Sequence, residues 1–131
     1  KGIQPFISFL FPRIPGNHAA REYISTNIIA NILGLGWACT PAGLKAMEEL
    51  QKLNEEECRR TGKPPVTASN EMCTFLIMNI SSLQLIPVSI IAYRSQYGSV
   101  NPTAVIVPGI IATLTSTLVA IIFVKVMDRK K

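Results

Sequence analysis

The chain is 131 residues long, the length of one domain; 48% is hydrophobic and only 16% is charged, against about 25% in ordinary soluble domains. Its formal charge of +5 comes from basic residues gathered at the ends of apolar runs, with no interleaved aromatics, which argues against a nucleic-acid surface. The three cysteines, Cys39, Cys58 and Cys73, are odd in number and lack CxxC spacing, so neither a disulfide framework nor a zinc site is expected.

Gly2 to Pro12 is uncharged and holds Ile3, Phe6, Ile7, Phe9, Leu10 and Phe11. It is too short to span a bilayer and reads as the end of a longer helix or as an interfacial segment. No signal peptide with a cleavage site is visible, and an abrupt apolar start without methionine is what a cleaved product or a partial chain would be expected to show. Pro12, Pro15, Gly16 and Asn17 form a turn. His18 follows it and is expected to cap or face solvent, because no second ligand lies at useful spacing.

Tyr23 to Lys45 carries no charge until its last residue, yet it makes a poor span. Asn27 and Asn31, four apart, share a helix face. Gly34-Leu35-Gly36 permits a turn of the backbone. Thr40-Pro41 reads as the N-cap and first position of a new helix, whose N–H donors would point into the membrane. A broken backbone in lipid is tolerated where protein buries it or where it lines a cavity, and such segments often carry transporter binding sites. The segment either crosses or re-enters; Arg13 and Arg21 argue for re-entry, as the charge count below shows.

Pro41 to Arg60 has soluble character, with Leu44, Met47, Leu50 and Leu53 or Asn54 in a narrow apolar stripe. Glu48–Lys52, Glu55–Arg59 and Glu56–Arg60 are favourable i,i+4 pairs. The helix lies on the membrane surface, packs on a partner, or simply connects. Gly62 caps it, and Pro64-Pro65 prevents continuation. Thr67 or Ser69 caps the next helix.

Met72 to Tyr93 is expected to be the first clear span, with Asn79, Ser82 and Ser89 on one face and Pro87 as a kink. YGSVNP, 97–102, is a turn. The second span runs from Thr103 or Ala104 to Met127, with Gly109, Thr113, Ser116 and Ala120 as a small-residue packing face. A soluble protein with two buried helices is the competing reading. Lys45, Lys52, Arg59, Arg60 and Lys63 together with Lys125, Arg129, Lys130 and Lys131 stand against Arg94 alone in the loop between the spans. The positive-inside rule then makes helix 41–60 and the C-terminus cytoplasmic, and a re-entrant 23–44 adds Arg13 and Arg21 to that side. The expected class is all-α, an integral multi-pass protein of the cell membrane with a re-entrant or broken helix and a surface amphipathic helix.

No Ser/His/Asp constellation, phosphate loop or intramembrane carboxylate is present, so an enzyme is not expected, nor is a cofactor or metal site. The polar groups left are neutral: Asn27, Asn31, Thr40, Asn79, Ser82 and Gln84. They suit a small polar solute, or hydrogen bonds between helices.

The run from Asn27 through Asn31, Gly34, Gly36, Thr40-Pro41, Gly43 and Lys45 to Met47, with Leu50-Gln51 and Leu53-Asn54, resembles the spore maturation protein A family. So do Thr74-Phe75-Leu76, Asn79, Leu85-Ile86-Pro87, Tyr97-Gly98-Ser99 and Pro102. The resemblance covers about Leu10 to the end of the second span. It implies a membrane domain of the nucleoside-recognition or Gate type, similar to segments of concentrative nucleoside transporters and of ferrous-iron transport protein B. Residues 1–131 would form one such domain lacking N-terminal helices. The family implies a part in spore maturation and core dehydration beside a related B-type membrane partner. The family's polar motif falls on Asn27, Asn31, Gly34, Gly36, Thr40, Pro41 and Asn79, which with Ser82 are the solute-binding or gating candidates. Two departures stand out: Trp37 where a small polar residue is expected, and Ile80-Ser81-Ser82 where smaller residues are. Trp37 would fill the solute cavity or anchor at the interface.

Overall fold

The computed structural model describes residues 2–62, 64, 67–81 and 84–129, which are all-helical, with no strand among them. Ser82, one of the candidates, lies outside the described residues. Helix α1 is Gln4–Leu10, α2 Ala19–Ile32, α3 Gly36–Thr61, α4 Asn70–Ile80, α5 Val88–Gln96 and α6 Ile106–Arg129, the last preceded by a 3₁₀ turn at Pro102–Val105.

Helices α2 and α3 form an antiparallel hairpin. His18 caps α2, its Nδ1 accepting from the Ala20 N–H at 3.1 Å. Fourteen residues later the helix closes in a Schellman turn. Gly34 N–H donates to Asn31 C=O at 3.0 Å and Leu35 N–H to Ala30 C=O at 2.9 Å. Gly34 takes φ +71°, the left-handed conformation glycine adopts at least cost. Helix α3 restarts at once: Ala38 and Cys39 N–H both bond the Leu35 carbonyl. Thr40-Pro41 is therefore not a helix start. Pro41 lies inside α3, and Thr40 Oγ1 bonds back to Gly36 C=O at 3.3 Å. A proline in the second turn is tolerated because its fixed φ is helical and it forfeits only one donor.

The helix expected over 41–60 is thus the continuation of the hairpin's second arm rather than a separate helix. Its buried stripe is Ala42, Ala46 and Leu50, flanked by Met47 and Leu53, while Leu44 is exposed. Gly62, φ +69°, ends it. Lys52 pairs with Glu48 at 3.2 Å and Glu49 at 2.7 Å, and Arg60 pairs with Glu57 rather than Glu56. The hydrogen bond from Lys52 holds the Glu49 carboxyl below its ordinary pKa and raises that of Lys52.

Residues 72–93 are not one continuous helix. Helix α4, capped by Ser69 Oγ accepting from Met72 N–H at 3.2 Å, stops at Ile80. Ser81 Oγ turns back onto the Ile77 and Met78 carbonyls. Pro87 lacks an N–H, biases Ile86 away from the helical region, and stands at the N-cap of α5. The run is therefore two short helices, one ending at Ile80 and the next starting at Val88, and Ser89, exposed on α5, shares no helix face with Asn79.

Helix α6 is 24 residues, about 36 Å. With its 3₁₀ turn it forms Pro102–Asp128, the one helix among the described residues long and apolar enough to cross a bilayer. Its inward face is Thr113, Thr117, Ala120 and Val124, which keeps Thr113 and Ala120 of the expected Gly109, Thr113, Ser116 and Ala120 stripe, while Ser116 is exposed. Val107, Ile111, Leu118, Val119, Ile122 and Phe123 are all more than half exposed.

One end of the molecule gathers charge. Arg13 lies 3.8 Å from Glu71 and 3.5 Å from Asp128. Lys125 bonds the Phe9 carbonyl and lies 4.1 Å from the Phe9 ring centroid. Asn54 Nδ2 donates to Thr67 C=O at 2.9 Å. Helix α1 and the residue after it pack inward: Ile7, Leu10 and Phe11 join Ile14, Ile24, Leu50 and Phe75 in the core beneath this end. At the other end Arg94 Nη2 holds the 97–102 turn through Ser99 Oγ and Asn101 C=O.

Candidate functional site

The two helix breaks meet. Leu85 N–H, in the break between α4 and α5, donates to Ile32 C=O at the end of α2 at 2.9 Å. Gly34 lies so close to the same segment that a β-carbon there would be 2.0 Å from the Ile86 carbonyl oxygen. On the other side α6 satisfies backbone groups that the break frees. Thr117 Oγ1 donates to Ser81 C=O at 2.6 Å, and Gln84 N–H reaches Thr113 Oγ1 at 3.4 Å. Unwound backbone away from water needs such partners, and two threonines four apart on one face of α6 supply them.

Beside the breaks lies a cluster of three amides. Asn31 Nδ2 donates to Asn79 Oδ1 at 2.8 Å and to Asn27 Oδ1 at 3.3 Å. Asn27, 2% exposed, donates across the hairpin to Cys39 C=O at 2.9 Å. Gly43 leaves room for this: a β-carbon there would be 2.9 Å from Asn27 Nδ2. The cluster opens on a cavity of about 80 Å³ lined by Phe6, Asn27, Ile28, Asn31, Ile32, Phe75, Met78, Asn79 and Thr117. Every lining residue is neutral. A larger, open groove of about 810 Å³ lies at the charged end between Arg13, the second half of α3 and the start of α4.

Of the candidates, Asn27, Asn31 and Asn79 come together, and Gly34 packs against the second break. Gly36, Thr40 and Pro41 are exposed; Gly36 has nothing within 4 Å of where its β-carbon would be. Trp37 is 85% exposed, so it does not fill the cavity. Sequence reasoning missed Met78, Thr117 and the Cys39 carbonyl, and took Gly43 only as an interruption. The threonine spacing in α6 was the available signal.

Spore maturation protein A of Bacillus subtilis (strain 168) is 48% identical to this chain over 119 residues, 91% of the chain and 57% of that relative. The chain belongs to the spore maturation protein A family. It spans little more than half the length of the relative it matches. No protein-family model matches it, and no solved structure does. In this family member the paired breaks and the amide cluster are the most distinctive chemistry among the described residues. No group of three or more His, Cys, Asp or Glu there could hold a metal ion.

Proposed function

We propose that the chain is part of an integral membrane subunit that moves or gates a small solute during spore maturation and core dehydration, together with a B-type membrane partner. The hairpin α2–α3 enters the bilayer from the cytoplasmic side and returns to it. Its tip meets the unwound middle of the α4–α5 span, and α6 crosses beside it. The observation that carries the reading is the Leu85–Ile32 hydrogen bond between two helix breaks, next to three buried or half-buried amides. Broken segments in lipid line cavities, and solute sites in transporters form where such breaks face one another. Basic residues at the hairpin's open end and in the C-terminal tail give the orientation.

A non-transporting scaffold is the second reading, and one observation favours it: the amides spend much of their hydrogen bonding on one another. Asn31→Ala in the full-length protein separates the two. Spores carrying the variant should have a wetter, less dense core while the purified protein, somewhat less stable for the two lost hydrogen bonds, stays folded and keeps its partner. A shed partner, with normal solute behaviour in what remains folded, would favour the scaffold.

A further inference from the structure

The size and chemistry of the cavity specify a class of solute, an inference that rests on the transport reading above. At about 80 Å³ it holds a few waters, where one needs about 10–15 Å³ by this measure. Sites for drug-sized ligands run to about 300–1,000 Å³. A nucleoside is therefore too large for it. An ion is also disfavoured. Phe6, Ile28, Ile32, Phe75 and Met78 form apolar walls, and no lining side chain carries a charge to offset desolvation of an ion.

The amides nevertheless leave polar capacity unspent. Asn31 Nδ2 uses both of its hydrogens within the cluster, and Asn27 is engaged at both ends. Asn31 Oδ1 and Asn79 Nδ2 make no hydrogen bond to another described residue. One carbonyl oxygen and one NH2 group, with two hydrogens to donate, thus remain on two residues that line the cavity. We propose that the site passes small neutral molecules that both donate and accept hydrogen bonds, of the size of water or urea, and rejects nucleosides and inorganic cations. Met78, 7% exposed, lines the cavity from the same face of α4 as Phe75 and sets the upper size.

The test is solute entry into liposomes reconstituted with the full-length protein and any partner that co-purifies. Urea and glycerol are followed by light scattering, uridine and rubidium by isotope uptake. Urea entry should be several-fold faster than in protein-free liposomes, with glycerol, uridine and rubidium at background. Asn79→Leu should return urea to background, and Met78→Ala should admit glycerol. Should Asn79→Leu fail to insert, the shift in size limit with Met78→Ala decides. Uridine or rubidium entry that Asn79→Leu abolishes would overturn this inference and leave the transport reading standing. Incorporated protein that speeds no solute at all would overturn both.

Discussion

A β-carbon at Gly34 would meet the Ile86 carbonyl oxygen at 2.0 Å, on a backbone already at φ +71°. Gly34→Ala therefore combines a left-handed conformation that costs a substituted residue about 1–2 kcal/mol with a clash against fixed backbone. It should lower the melting temperature of the detergent-solubilised protein by several degrees. Gly36→Ala should leave it unchanged or slightly raised, since nothing lies near and alanine suits a helix better than glycine. Equal losses in both variants would contradict the arrangement. In sequence the two glycines carry the same signal, a break near 34–36. Only the Schellman geometry shows that the first makes the turn and contact while the second begins a helix. Asn27 and Asn31 were legible as a pair because helical spacing alone puts them on one face. Asn79 was legible as a polar residue, but its joining them depends on how α4 meets the hairpin, which no local pattern encodes.

Among the elements, Ser81 and Gln84, between α4 and α5, are held from α6. Thr117→Val keeps the side chain's shape and removes the hydroxyl that satisfies Ser81 C=O. A carbonyl left unpaired in a buried setting costs about 1–3 kcal/mol, and denaturant or thermal unfolding should show a loss of that order. Thr115→Val is the control, because Thr115 is exposed and bonds only its own helix at Ile111 C=O. The uncharged run 72–93 reads as one span because hydropathy counts composition, and composition does not distinguish one helix from two halves. The warning lay in Ser81 and Pro87, residues that stop helices without breaking an apolar average. Helix 41–60 erred in the other direction. Proline after threonine is a common start, but here the preceding Schellman turn already nucleates α3 five residues earlier. At the charged end, Leu50 is 1% exposed within the core. Leu50→Ala should cost about 2–5 kcal/mol, read as a lower unfolding midpoint.

At the scale of the whole molecule, the hairpin returns to the end it left. Tyr23 lies 5.6 Å from Lys45 across it, and Arg13 at its base reaches Glu71 and Asp128. The all-helical class and the gathering of basic residues at one end followed from composition and from charge at the ends of apolar runs. Re-entry rests on Arg13 and Arg21, and the antiparallel α2–α3 hairpin is the fold that a re-entrant segment would take. Labelling with a membrane-impermeant thiol reagent tests the arrangement most directly. Single cysteines would replace Asn17, Gln51 and Tyr97 in a cysteine-free full-length protein held in sealed, oriented vesicles. Positions 17 and 51 should label from the same side and position 97 from the opposite side. Labelling of 17 and 51 from opposite sides would make residues 23–44 a complete crossing and contradict the re-entrant hairpin on which the proposed site depends.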